Sequence, residues 1–172
     1  MFVVCGEALY DIFIDGYAGT AVGMTARQGG SPFNVAIGLA RLGTPSALFT
    51  GLSTDPLGRQ LRGTLEREGV ALQHCIDKAE ASTLVMVALD AQGVPNYSFY
   101  GTGCADRALT VADIANTSRH FLSSSFQAKT VLLLPQEDGR LQQMIGEEGG
   151  LLSVDEAIAR WSFDKGLPAG AG

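Results

Sequence analysis

The chain has 172 residues, 46% hydrophobic and 17% charged, with 22 glycines and a net charge of −6. That length buries one ordinary core, and an acidic chain with scattered cations repels nucleic-acid phosphates and anionic membranes, so neither is expected as a partner. No apolar run reaches membrane-spanning length, and Met1–Cys5 lacks the basic start and the length of a signal peptide, so a cytoplasmic chain is expected. Cys5, Cys75 and Cys104 are odd in number and far apart, which suits neither a disulfide framework nor a zinc site; they read as plain thiols, and no metal ligands are expected.

In chain order, Phe2–Cys5 is a short apolar run closed by Gly6, the pattern of a central strand. Ile12 and Ile14 alternate with Phe13 and Asp15 before Gly16, Gly19 and Gly23 interrupt, which predicts an exposed strand or hairpin. Ser31 can cap a helix whose first residue is Pro32, where the missing N–H does no harm. Phe33–Leu42 is apolar nearly all round, so this helix is expected to be buried on most sides, with Gly43 at its C-terminal cap. Ala47–Gly51 reads as a strand. Asp55 and Pro56 open a second helix with a Leu57, Leu61, Leu65 stripe and Gly69 as its end; Arg59, Arg62, Glu66 and Arg67 lie off the stripe.

Thr83–Leu89 is a β-branched strand, followed by a turn at Asp90–Gly93 and an extended Tyr97–Tyr100. The alternation predicts an α/β layered sheet with right-handed crossovers, the hairpin and the Tyr97 segment lying outside it. Further on, Thr130–Leu134 fits a strand. Ser153 with Glu156 fits a capping box ahead of an apolar face of Ala157, Ile158 and Trp161.

Two places could carry chemistry. In Gly29-Gly30-Ser31-Pro32-Phe33-Asn34 the glycines let a ligand approach the backbone, and they lead into a helix start whose first N–H groups lack intrahelical partners. Asn34 offers a donor and an acceptor, as a neutral polyol requires. A plain tight turn with a solvated asparagine explains these residues equally well. Asp11 follows the first strand, at a mouth where α/β sheets bind ligands, and a carboxylate there can accept from two neighbouring hydroxyls. A solvated acid at a strand end is the alternative.

Together these segments resemble the ribokinase-like (PfkB) carbohydrate kinases, most closely the fructokinase branch. The likeness runs through Gly6-Glu7 with Asp11, Gly29 to Ala36, Ala40-Arg41-Leu42-Gly43 and Gly51 to Gly58. It continues through Glu68-Gly69-Val70, Thr83, Tyr97 to Tyr100 and Ala105 to Leu109. Ser53 departs from the glycine of many relatives, but fructokinase-like members often have serine there. The resemblance implies that Asp11 and Asn34 hydrogen-bond sugar hydroxyls and that Gly29 and Gly30 supply close backbone contacts. Phe99 and Asp106 are weaker lid or pocket candidates. It also implies a β-lid, with strands within about 10–28 and 84–105, that closes over a small-molecule sugar and makes a homodimer contact.

On that resemblance, residues 1–125 are the N-terminal part of a ribokinase-like domain, and 126–172 form a tail that does not match the family pattern. The family uses ATP and Mg²⁺ and a catalytic aspartate after a Gly-Ala-Gly turn. Here the tripeptide occurs only as Gly170-Ala171-Gly172, with no aspartate after it, so no catalytic residue is assigned. Two readings follow: a sugar kinase by family, or a sugar-binding or dimerising fragment without catalysis. A dinucleotide site is disfavoured, because Gly29-Gly30-Ser31-Pro32 is not Gly-x-Gly-x-x-Gly.

Overall fold

The computed structural model describes residues 1–89, 92–127, 130–144 and 153–170. They group into two units, Met1–Leu109 and Thr110–Gly172. In the first unit the order is β1 (Phe2–Cys5), β2 (Leu9–Ala18), β3 (Ala21–Gly29), α1 (Ser31–Arg41), β4 (Ser46–Ser53), α2 (Pro56–Arg67), β5 (Cys75–Lys78), β6 (Thr83–Leu89), β7 (Pro95–Tyr100) and a 3₁₀ turn at Ala105–Arg107.

Strands β1, β4 and β5 form a parallel sheet in that order, joined through α1 and α2 as the strand–helix alternation requires. β4 is buried along its whole length, which explains its unbroken small and apolar sequence. Its Leu48 and Leu52 pack against Phe33, Ala36 and Ile37 of α1 and Leu61 and Leu65 of α2. The opposite face meets the 3₁₀ turn at Gly51, where an added Cβ would lie 2.0 Å from the Ala105 carbonyl oxygen. α1 and α2 thus share one face of the sheet, and the short 3₁₀ turn meets the other.

Four expectations change. Phe2–Cys5 has a central strand's composition, yet among the described residues it pairs only with β4 and sits at the sheet edge. α1 is buried on one side only, with Val35 about half exposed; Phe33, Ala36 and Ile37 fill its single contact face. The third strand of the layered sheet is β5, whose Cys-Ile-Asp-Lys sequence carries no β signal, while Thr83–Leu89 joins the hairpin. The α1 N-cap is Gly30, with φ 104°, and Ser31 and Pro32 are its first two residues.

The second sheet has the order β3-β2-β6-β7, with β2 and β6 parallel and both outer pairs antiparallel. Its Tyr10 and Ile12 side faces the core. The Tyr10 hydroxyl donates to the Leu57 carbonyl at 3.3 Å and accepts from Gln28 Nε2 at 3.1 Å, tying the hairpin to α2. Asp55 caps α2, accepting from Gly58 N at 2.7 Å and from the backbone and hydroxyl of Ser82, both at 2.9 Å. Burial pushes its pKa up, but the bonds from Gly58, Ser82 and Ser53 outweigh that and hold the carboxyl below its ordinary value.

The second unit holds α3 (Val111–Phe126), β8 (Leu132–Pro135), β9 (Leu141–Met144) and α4 (Glu156–Lys165). α3 opens on a capping box between Thr110 and Asp113. β8 and β9 form an antiparallel hairpin, in keeping with the predicted Thr130–Leu134 strand. Asp155, not Ser153, caps α4, accepting from the Ala157 and Ile158 N–H groups at 3.0 Å; its carboxylate stands directly before the helix. Ile158 and Trp161 are half exposed. Residues 90 and 91 of the predicted Asp90–Gly93 turn lie outside the described residues, as do Ala171 and Gly172.

Candidate functional site

The site grows from the β2–β3 hairpin. Its register shifts between Ile14 and Gly16, so Leu9 stands opposite Gly29 and Asp11 opposite Arg27. Residues two apart on a strand share a face. Asp11 therefore lies on the same face as Gly29, and a Cβ on Gly29 would fall 2.4 Å from Asp11 Oδ2. Only glycine lets the carboxylate rest there.

Asp11 is half-buried, and burial raises its pKa above the ordinary aspartate value. β6 and β7 extend the same row: Asp11 pairs with Val85, and Val85 with Phe99. Phe99 thus lies on the Asp11 face two strands away, about 10 Å at ordinary strand spacing, and it is exposed.

Gly30 carries the chain from β3 into α1. With φ +104°, and with its would-be Cβ 2.7 Å from the Glu7 carbonyl oxygen, it too excludes other residues. Asn34 stands one turn on, its N–H donating to the Gly30 carbonyl at 3.0 Å and its side chain exposed. Asp106, on the 3₁₀ turn, accepts from the Thr83 hydroxyl. Thr83 pairs with Leu9, which pairs with Gly29, so Asp106 is anchored at the end of the same sheet. The structure thus joins Asp11 to Gly29 by contact, Gly30 to Asn34 by a backbone bond, Phe99 to Asp11 by sheet row, and Asp106 to the sheet end through Thr83.

Two neighbours were not singled out from the sequence. Glu7 Oε1 accepts from Ser31 N at 3.1 Å, satisfying the α1 start that Gly30 cannot cap. It lies 24 residues from Ser31, beyond any local capping rule. Arg27, opposite Asp11, has its guanidinium over the Phe13 ring, 5.4 Å from the centroid. Hairpin counting from the turn would have placed Gln28 there. Burial pushes the Cys75 thiol up to about 11, which disfavours the reactive thiolate there.

A half-buried carboxylate over bare glycine backbone, beside a helix start and an exposed amide, suits a neutral ligand with vicinal hydroxyls. Helix starts are the natural anion sites, but the chain's own carboxylates serve all four helix starts among the described residues. Glu7 serves α1, Asp55 α2, Asp113 α3 and Asp155 α4. Among the described residues no group of three or more His, Cys, Asp or Glu could hold a metal ion. No helix among them is long and apolar enough to cross a membrane.

The pfkB family carbohydrate kinase profile matches residues 1–138. A fructokinase of Rhizobium leguminosarum bv. trifolii is 34% identical over 172 residues, 98% of this chain and 52% of that protein. The structure of Xylella fastidiosa fructokinase with bound ATP matches with a TM-score of 0.60 and 28% identity, over 68% of this chain and 38% of that one. Sensor protein KdpD of Escherichia coli K12 is 53% identical over 60 residues, 35% of this chain and 7% of that protein. The chain spans about half the length of the fructokinase it matches. With the motif series in place on the hairpin and α1, and with the profile covering most of its length, the chain belongs to the pfkB family of carbohydrate kinases.

Proposed function

We propose that this chain holds a sugar, fructose being the best-supported one, as the sugar-binding part of a fructokinase-like kinase. Asp11 and Asn34 engage the hydroxyls, and Gly29 and Gly30 supply close backbone contacts. Phe99 bounds the site from the lid, and Asp106 fixes the sheet end. The observation that carries this reading is the Asp11 carboxylate seated on the glycine backbone, in one row with Phe99.

In the whole kinase the reaction is transfer of the ATP γ-phosphoryl group, with Mg²⁺, to a sugar hydroxyl. The chain has no Gly-Ala-Gly-Asp run, which favours a second reading for this chain on its own: sugar binding or dimerisation without turnover. Pairing of two copies through the lid strands and a cytoplasmic location belong to the same proposal. Tyr17, Val22 and Met24 give the lid hairpin an exposed apolar surface for that pairing, on the face opposite Asp11 and Phe99.

Calorimetric titration of fructose into the full chain tests the reading. One saturable site is expected, weakened about three- to tenfold by Asn34→Ala through loss of one or two neutral hydrogen bonds. Binding unchanged by Asn34→Ala, or absent from folded protein, would contradict it.

A further inference from the structure

The second unit has no kinase motif of its own. The motif series ends at Leu109, which is also the last residue of the first unit. The Xylella fructokinase structure accounts for 68% of the chain, and the sensor protein for 35%. The 60 residues of the sensor match equal the length of Thr110–Gly172 to within a few residues. No stretch of that length in the first unit avoids the kinase motifs, which recur from Gly6 to Leu109. The Rhizobium fructokinase alignment and the family profile both run past Leu109. Even so, 53% identity over 60 residues is the stronger local match than 34% averaged over the chain.

We infer that Thr110–Gly172 is a module of different parentage from the first unit, related to a segment of a sensor protein, and that the two units fold separately within one chain. The construction of the unit agrees. Its first residue, Thr110, is the cap of a complete capping box, so α3 starts without help from upstream residues. Its two strands pair with each other, antiparallel, whereas the layered sheet of the first unit is parallel throughout. Its second helix carries its own cap in Asp155. The inference does not depend on whether the first unit binds fructose.

The chain's single tryptophan, Trp161, lies in the second unit and reports on it alone. Melts of the full chain are followed by Trp161 fluorescence and by far-UV circular dichroism, for wild type and for Leu61→Ala. Leu61 is 1% exposed in the first core, so its truncation lowers that unit's midpoint by on the order of 10 °C. The Trp161 midpoint is expected to stay at its wild-type value, even if the first unit of the variant fails to fold. A Trp161 transition that shifts or disappears with Leu61→Ala, or that is missing in wild type, overturns separate folding. An experimental structure of the full chain tests parentage. Superposition of Thr110–Gly172 on the matched sensor segment supports it, and continuation of the fructokinase strand order overturns it.

Discussion

Replacing Asp11 by asparagine is expected to weaken fructose binding about ten- to a hundredfold while raising the melting temperature at neutral pH. The loss in binding follows from trading a charged acceptor for a neutral one, at about 1.5–3 kcal/mol for hydrogen bonds to a charged group. The gain in stability follows from linkage. Burial holds the Asp11 pKa above its unfolded value. Such a carboxyl contributes stability that is fully present below the unfolded pKa and lost as pH rises through the raised one. Wild type therefore carries a penalty at neutral pH that asparagine, nearly identical in shape, does not. Melts of the two proteins should converge as pH is lowered through that window. An asparagine variant that binds fructose like wild type removes Asp11 from the sugar site. One that is less stable at neutral pH contradicts the burial argument.

Gly51→Ala, at the one glycine of β4, is expected to give a large loss of stability. Its Cβ would sit 2.0 Å from the Ala105 carbonyl oxygen and 2.9 Å from the carbonyl carbon, both backbone atoms that cannot rotate away. Either β4 or the 3₁₀ turn must move. Overpacking of this kind costs about 1–3 kcal/mol, at times more. Because the turn carries Asp106 and its bond from Thr83, fructose affinity should fall with stability. Gly38→Ala is the control. It lies within α1 with nothing inside 4 Å of its would-be Cβ, so alanine should stabilise by about 0.5–1 kcal/mol. Urea melts of the two variants decide the matter, and equal midpoints would contradict the close packing of Gly51.

Local chemistry made much of the fold readable. Asp55-Pro56 with its leucine stripe, the glycine-broken hairpin and the buried Ala47–Gly51 run each obey short-range rules, and each formed where those rules put it. What stayed hidden depended on distance. β5 is a strand because β4 offers it an edge, not because Cys75–Lys78 favours one. α3 was not expected from the sequence: its capping pair, Thr110 and Asp113, leads into a serine-rich and weakly apolar run.

At the site, Asp11, Gly29, Gly30 and Asn34 were legible as residues, but their geometry was not. Without the bulge at Asp15, pairing from the turn would set Asp11 opposite Gln28 and turn Gly29 to the other face. One extra residue in β2 brings carboxylate and glycine together. Glu7, which satisfies the α1 start, acts across the fold and left no local trace.

The most direct test of the central claim is a coupled ADP-release assay on the folded full chain with MgATP and fructose, run beside Asp11→Ala. The expected result is no fructose-dependent ADP release from a chain that binds fructose. Fructose-dependent release that Asp11→Ala abolishes would contradict it, because the chain would then hold a base and a nucleotide site of its own.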